Sequence, residues 1–204
     1  MRRKVGFFFM LFGTVLLCGA LSLFLLNRQE ANNAETIVQQ VLPQLQQQIP
    51  EVPQQEDINQ KLIPPELVTP EQAEMTETII DGLAYIGYLS IPSQGLDLPV
   101  LSDWNYEILR KSPCRYTGST KTDDLVLMAH NYDRHFGRLS KLVVGDSVYF
   151  TDMDGILTTY QVVARDVLPP DAVEEMTSGE FDLTLFTCTY GGQSRITVYC
   201  DYTE

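Results

Sequence analysis

The stretch that decides the fold is TLFTC at Thr184–Cys188, in which a cysteine ends an apolar run of β-forming residues. Arg195 follows seven positions later at the start of the next such run, and His130 ends an upstream one. A cysteine forms a reactive thiolate near neutral pH when a base or a positive charge lies beside it. The pattern therefore predicts a cysteine nucleophile at a strand end, with a histidine and an arginine beside it.

Short β-prone runs separated by turn residues fill the chain from Ala84 onward. The predicted strands are Tyr85–Pro92, Leu98–Leu101, Leu125–Ala129, Ser147–Thr151, Ile156–Ala164, Asp182–Cys188 and Arg195–Cys200. One short helix is predicted at Trp104–Lys111, with Asp103 as its N-cap. About eight strands with few helices predict a mainly β domain that closes into a small β-barrel.

Each candidate side chain also has an ordinary structural explanation. A strand cysteine such as Cys188 is more often structural than catalytic, His130 taken alone fits a buried core position, and Arg195 taken alone fits a surface charge. The combination favours catalysis, because strand ends on one rim of a barrel bring a nucleophile, a base and a cation to one groove. The second histidine, His135, is predicted to lie on an exposed turn.

The N-terminal segment Val5–Leu26 contains no charged residue. A helix of this length is about 33 Å long, which matches the hydrocarbon core of a bilayer. A cleaved signal peptide is the alternative, but its apolar region is usually shorter, about 7–15 residues, and ends at a small-x-small site. The basic cluster Arg2–Lys4 predicts a cytoplasmic N-terminus. Residues 1–26 are thus interpreted as a cytoplasmic basic tip and a single-pass anchor, with the rest of the chain extracellular.

Residues 27–80 are rich in Gln, Pro and Glu and are predicted to form an extracellular stalk. Ala34–Gln48 has apolar residues at helical spacing, but Pro43 predicts a break or a kink there. The prolines of Ile49–Pro70 favour an extended spacer. The catalytic β-barrel domain is assigned to residues 81–204.

Composition narrows the partners and the chemistry. The formal net charge of −13 disfavours binding to nucleic acid. No dense disulfide framework is visible, and whether Cys114 and Cys200 pair, leaving Cys188 as the free thiol, stays open. Asp152–Gly155 is similar to a fragment of a calcium loop but lacks its further ligands, which favours a hairpin turn. An acidic loop with Glu174, Glu175 and Glu180 is interpreted as solvated, with calcium binding as the alternative.

Three segments together resemble the sortases, the membrane-anchored cysteine transpeptidases of Gram-positive bacteria. TLFTC at 184–188, with Arg195 on the next strand, resembles the family's TLxTC signature. YIGYLSIPSQGLDLPV at 85–100 looks like its opening strands, and HNYDRHFGRLSKLVVGD at 130–146 looks like its histidine segment, most like class B in the HN…FGRL portion. Ala129 stands where the family usually has Gly, and Ala164–Asp182 lacks the long helical insertion of class B, so the class stays open.

The resemblance implies a closed eight-stranded sortase-type β-barrel and a reaction. Cys188 would attack an LPxTG-like C-terminal sorting signal of a secreted protein and form a thioacyl intermediate. His130 would act as acid and then as base, Arg195 would stabilise the oxyanion, and Thr187 would bind substrate. The acyl group would pass to an amine, from a cell-wall precursor peptide or a pilin lysine. The resemblance implies no metal and no other cofactor.

Two other functions remain open from the residues alone. A hydrolytic, papain-like cysteine peptidase usually has its nucleophile before its histidine, whereas here His130 precedes Cys188. A non-catalytic membrane-anchored binding or assembly module on the same barrel would not need the thiol of Cys188.

Overall fold

The computed structural model describes residues 2–50 and 74–203. One long helix, α1 (Arg2–Gln48), precedes a β domain that contains one further short helix, α2 (Val173–Met176). The strands are β1 (Thr78–Ile80), β2 (Leu83–Ile91), β3 (Leu96–Leu101), β4 (Cys114–Thr117), β5 (Leu125–Met128), β6 (Ser147–Asp152), β7 (Leu157–Leu168), β8 (Leu183–Cys188) and β9 (Arg195–Tyr202). Single 3₁₀ turns occupy Pro92–Gln94, Ile108–Arg110 and Phe136–Lys141.

The strands form one sheet in the order β1-β2-β3-β4-β5-β8-β9-β7-β6, and β6 pairs back onto β2. Strands β2 to β9 therefore make a closed eight-stranded barrel, as the sequence predicts. Strand β1 is added outside the closure, next to Leu83–Tyr85 of β2, while β6 pairs with Gly87–Ser90 of the same strand. Closure leaves the barrel without a free sheet edge except at this short addition.

The barrel interior is filled by apolar side chains that alternate with outward-facing ones along each strand. Leu89, Leu127, Phe150, Leu185 and Val198 are each 0% exposed and belong to one continuous cluster. Burial of an aliphatic or aromatic side chain of this size contributes about 1.5–3 kcal/mol. This packed interior holds the ends of β5, β8 and β9 in fixed relative positions.

Helix α1 does not end at the start of the predicted stalk. It continues through Pro43 to Gln48, so of the predicted break or kink at that proline, the break is wrong. Val41 and Leu45, on either side of the proline, are buried in a second apolar cluster with barrel residues such as Leu101 and Tyr85. A proline inside a helix costs about 3 kcal/mol, and burial of these two side chains offsets that cost. Most of the predicted spacer, residues 51–73, lies outside the described residues.

Two strands, one helix and the capping residue of that helix differ from the sequence predictions. β1 and β4 were not predicted, because β1 has only three residues and β4 (CRYT) lacks the continuous apolar run that marks the equally short β5. The predicted helix at Trp104–Lys111 is reduced to the turn Ile108–Arg110. Its first amides, of Glu107 and Ile108, donate to Oδ1 of Asn105 at 2.9 and 3.0 Å rather than to Asp103.

Candidate active site

Strand pairing brings the three sequence-predicted residues to one rim of the barrel. β8 and β9 are antiparallel, and Cys188 lies directly opposite Arg195. β5 and β8 are parallel with Met128 beside Phe186, so His130, two residues after Met128, emerges beside Cys188. A thiol, an imidazole and a guanidinium thus leave three neighbouring strands at the same end.

Cys188 differs from the other two cysteines of the barrel in its exposure. Cys188 is half-buried, whereas Cys114 and Cys200 are each 0% exposed. Burial raises the pKa of the Cys114 thiol to about 12 and also raises the pKa of the Cys200 thiol. Both are free thiols and do not form a disulfide with each other. Only Cys188 among the barrel cysteines is open to a substrate.

Thr187 connects the strand of Cys188 to the strand of His130. Its side chain is 2% exposed, and its hydroxyl donates a hydrogen bond of 2.7 Å to the carbonyl oxygen of Ala129. The hydroxyl is therefore turned inward, and this geometry does not support the direct substrate contact that the sequence predicts for Thr187. This hydrogen bond instead fixes the distance between Ala129 and Thr187, which directly precede His130 and Cys188 in the sequence.

The loop after β5 folds tightly back on His130. The amide of Phe136 donates to the carbonyl oxygen of His130 at 3.2 Å, and that of Gly137 donates to Tyr132 at 2.9 Å. A Cβ at Gly137 would lie 2.6 Å from the carbonyl oxygen of Asn131, so this close approach requires glycine. The Tyr132 ring stacks on the imidazole of His130, with centroids 5.0 Å apart and planes 29° apart.

The electrostatic surroundings of His130 include residues far away in the sequence. Burial lowers its pKa most, and the positive charge of Arg110 lowers it further, while the carboxylate of Glu30 on α1 acts in the opposite direction. Nε2 of His130 is buried and has no hydrogen-bond partner among the described residues. No hydrogen bond to a described residue therefore holds a proton at Nε2, although this nitrogen is covered in the structure.

His135 is not on an exposed turn, so that prediction is wrong. It is 0% exposed and packs against the ring of Tyr132 at a centroid distance of 5.6 Å. Neither ring nitrogen has a hydrogen-bond partner in the described part of the chain. Burial foremost, followed by the charge on His130, lowers the pKa of His135 to about 4. The charged neighbours Asp133 and Arg134 suggested exposure, but the side chain points inward from the turn.

The neutral, buried His135 makes the stability of the protein depend on pH. Its folded-state pKa of about 4 lies below its ordinary value of 6.5, so the unfolded chain binds more protons between these values. Its stabilising contribution is complete above about pH 6.5 and is lost as the pH falls toward 4. We expect the difference in unfolding free energy between the parent and His135→Gln to shrink by about 2–3 kcal/mol between pH 7 and 4.5.

Urea unfolding of the full chain in mild detergent at both pH values measures this difference. Asp152 titrates in the same range with the opposite sign, because burial foremost raises its pKa to about 6, but both proteins contain it and its contribution cancels. A difference that stays constant with pH would show that His135 is not held neutral.

Arg195 contacts the turn that leads into its own strand. Its Nη1 donates to the carbonyl oxygens of Gly192 at 3.1 Å and Ser194 at 3.3 Å. The turn is closed by a hydrogen bond of 2.9 Å from the amide of Thr189 to Ser194. The guanidinium therefore lies over the Thr189–Ser194 turn. The backbone of Arg195 lies directly opposite that of Cys188 in the strand pair.

Residues 2–50 and 74–203 contain no group of three or more His, Cys, Asp or Glu side chains arranged to hold a metal ion. The Asp152–Gly155 segment is a hairpin turn, in which Oδ1 of Asp152 accepts hydrogen bonds from the amides of Asp154 and Ile156 at 3.0 and 2.9 Å. The carboxylate that looked like a calcium ligand is thus used to close the turn.

Residues 89–203 match the Sortase domain family, which is more than half of the chain. The chain belongs to the sortase family. The resemblance noted in the sequence is therefore confirmed. Sortases are cysteine transpeptidases that act on proteins with sorting signals, so the papain-like and non-catalytic alternatives are not favoured. A search of curated protein sequences gives no match.

Several solved structures are similar to this sortase. Sortase C1 from Streptococcus suis is 27% identical, with a TM-score of 0.51 over 59% of this chain and 73% of that protein. Sortase C1 from Streptococcus agalactiae is 26% identical, with a TM-score of 0.51 over 59% and 68%. Sortase C from Streptococcus pneumoniae, at 20% identity and a TM-score of 0.59, covers 81% and 97% and is similar in fold.

Helix α1 is the one helix among the described residues that is long and apolar enough to cross a membrane, from Phe9 onward. Its apolar half is exposed, with side chains such as Phe12 and Leu17 more than half accessible. Exposed apolar side chains of this number are disfavoured in water. The sequence and the structure agree on a helix that suits a bilayer.

Proposed function

We propose that Cys188, His130 and Arg195 form the reaction centre of this sortase. The observation that carries the proposal is the strand pairing, with Cys188 opposite Arg195 on β9 and His130 following β5 beside β8. The Cys188 thiolate attacks the threonine carbonyl of an LPxTG-like signal. The carbon–nitrogen bond to the next residue breaks, and a thioester to the sulfur remains.

His130 moves the proton in both half-reactions. As imidazolium it protonates the departing amine, and as imidazole it accepts a proton from the incoming amine that attacks the thioester. The unpartnered Nε2 supports this role, since no hydrogen bond to a described residue has to break first. The thiolate of Cys188 then leaves, and the enzyme returns to its starting state.

Arg195 stabilises the negative charge that develops on the carbonyl oxygen. To do so its guanidinium turns from the carbonyl oxygens of Gly192 and Ser194 toward the substrate. Thr187 contributes indirectly, because its buried hydroxyl links β8 to Ala129. It is a positioning residue in this account rather than a substrate ligand.

Replacing Arg195 by alanine is expected to lower kcat/KM for signal-peptide cleavage by about 10²–10³, the usual cost of one oxyanion donor. Arg165→Ala is the matched control, since Arg165 on the adjacent strand β7 also binds carbonyl oxygens, including that of Leu142 at 3.2 Å. It does not lie opposite Cys188. Equal losses in steady-state assays of the two variants would contradict the specific role of Arg195.

We infer that the acyl acceptor is a pilin amine rather than a wall peptide. The similar structures are sortases C, and the S. pneumoniae study concerns pilin substrate specificity. Incubation of the full chain with an LPxTG peptide and equal amounts of a lysine-bearing pilin peptide and a wall-precursor peptide tests this. Mass spectrometry is expected to find mainly the lysine-linked product; a predominant wall-peptide product would reject the pilin assignment.

We also propose a single-pass topology, with a cytoplasmic N-terminus at Arg2–Lys4 and the catalytic domain, residues 81–204, outside. Glu30 follows the apolar run by four residues, about 6 Å along a helix, and contacts Tyr132 beside His130. The segment after the anchor therefore holds the reaction centre near the extracellular surface of the membrane rather than far from it. Protease protection of tagged termini in intact cells tests this topology.

A further inference from the structure

One carboxylate of the anchor helix contacts two groups that surround His130. Oε2 of Glu30 accepts a hydrogen bond of 3.3 Å from the hydroxyl of Tyr132. Oε1 lies 4.0 Å from Nη1 of Arg110, on the turn after β3. Glu30 and Tyr132 are 102 positions apart in the sequence.

Tyr132 transmits the position of Glu30 to the imidazole. Its ring is 8% exposed and stacks on His130 with centroids 5.0 Å apart. Burial and the neighbouring carboxylate raise the pKa of Tyr132, so the hydroxyl remains protonated and keeps donating to Glu30. The ring plane of His130 is therefore fixed from one side by a tyrosine whose outer end is held by α1.

We propose that Glu30 is a positioning residue for His130, which couples the docking of the anchor helix to the orientation and charge of the imidazole. The proposal rests on the proposed role of His130 as acid and base. It assigns to the segment just outside the membrane a part in the reaction, beyond that of a tether.

The charged groups around His130 have opposing effects that make the proposal testable. They are Glu30 on α1, Arg110 on the turn after β3, Tyr132 and His135 on its own loop, and, at the same rim, Cys188 on β8 and Arg195 on β9. After burial, the charge of Arg110 lowers the pKa of His130, and the charge of Glu30 raises it. Glu30 thus favours the imidazolium that must protonate the leaving amine.

Docking of the helix does not depend on Glu30. Val41 and Leu45 are 3% and 0% exposed against the barrel, and Glu35 forms a separate ion pair of 3.3 Å with Nε of Arg134. Glu30→Gln is nearly isosteric and removes only the charge. Glu35→Gln removes one carboxylate from the same helix, and Glu35 pairs with Arg134 and is not among the charges that shift the pKa of His130, so it is the matched control.

Nuclear magnetic resonance of ring-labelled histidine in the full chain, held in lipid nanodiscs, reads the pKa of His130 directly. The chain has two histidines, and burial lowers the pKa of His135 to about 4, so comparison with His135→Gln assigns the signal of His130. A Cys188→Ala background removes the neighbouring thiol from the measurement. We expect Glu30→Gln to lower the pKa of His130, Arg110→Gln to raise it, and Glu35→Gln to leave it unchanged.

Activity provides the second readout, in proteins that retain Cys188. A partly exposed charge interaction of this kind changes a rate by about two- to fivefold. Glu30→Gln is therefore expected to lower kcat/KM at pH 7 by that factor and to shift the limb of the pH profile that reports His130 to lower pH, with Glu35→Gln unchanged.

Each result has a separate meaning. If Glu30→Gln and Glu35→Gln titrate like the parent, or if Glu30→Gln and Arg110→Gln shift the pKa in the same direction, the positioning role is wrong. If the pKa shifts occur as expected but His130→Ala keeps full activity, the proposed catalytic role of His130 fails while the coupling to the helix stands.

Discussion

Cys188→Ala is expected to reduce cleavage of a sorting-signal peptide by about 10⁴-fold or more, because removal of a nucleophile leaves only the contribution of substrate binding and oxyanion stabilisation. Both half-reactions pass through the sulfur, so peptide cleavage and transfer to the amine should disappear together. Chromatographic assays of both products, with the full chain in detergent, measure the loss.

Cys114→Ser is the matched control for this experiment. Cys114 is buried, and its thiol contacts the carbonyl oxygen of Ser112 at 3.4 Å, a contact that a serine hydroxyl can also make. It should retain activity within a small factor of the parent. Substantial turnover by Cys188→Ala, or an equal loss in Cys114→Ser, would argue that another group forms the acyl intermediate.

His130→Ala is expected to lower kcat by about 10²–10⁴, the usual contribution of general acid–base catalysis. The loss should be smaller for substrates whose leaving amine has a low pKa, because such an amine needs less protonation as it departs. Steady-state kinetics with a series of leaving groups measures this dependence. A uniform loss across the series would indicate that the imidazole only supports the structure of the rim.

His135→Gln is the control for the histidine prediction, because His135 packs beside Tyr132 and is fully buried, so its side chain is closed to a substrate. Its effect should appear in stability and its pH dependence, while kcat of the folded protein stays near that of the parent. Substitution of His130 should thus change the reaction rate, and substitution of His135 should change the stability of the protein.

The barrel could be predicted from the sequence because most of its strands are long enough to show alternation or a buried apolar run. β8 ends at Cys188 and β9 begins at Arg195, so each of these strand boundaries is marked by a residue whose chemistry differs from that of the apolar run beside it. The register that sets them opposite each other follows from the short turn between the strands. The central part of the candidate site was therefore available from local sequence.

The remaining parts of the site depend on contacts between distant segments, which local patterns do not contain. Pro43 and the Gln-rich composition pointed to a broken, extended stalk, but burial of Val41 and Leu45 stabilises a continuous helix on the barrel. Only this docking brings Glu30 to Tyr132. The prediction of an exposed turn for His135 was wrong for a similar reason. Its charged neighbours in the sequence suggested exposure, but the packing of the loop buries its side chain.

The measurement that tests the account most directly is the isolation of the acyl-enzyme. The full chain would be mixed with an LPxTG peptide without any acceptor amine, quenched in acid and analysed as an intact protein and as peptides. The account predicts a mass increase equal to the acyl fragment, attached to Cys188 and released when an amine is added. An adduct on another residue, or cleavage with no adduct at any time, would contradict it.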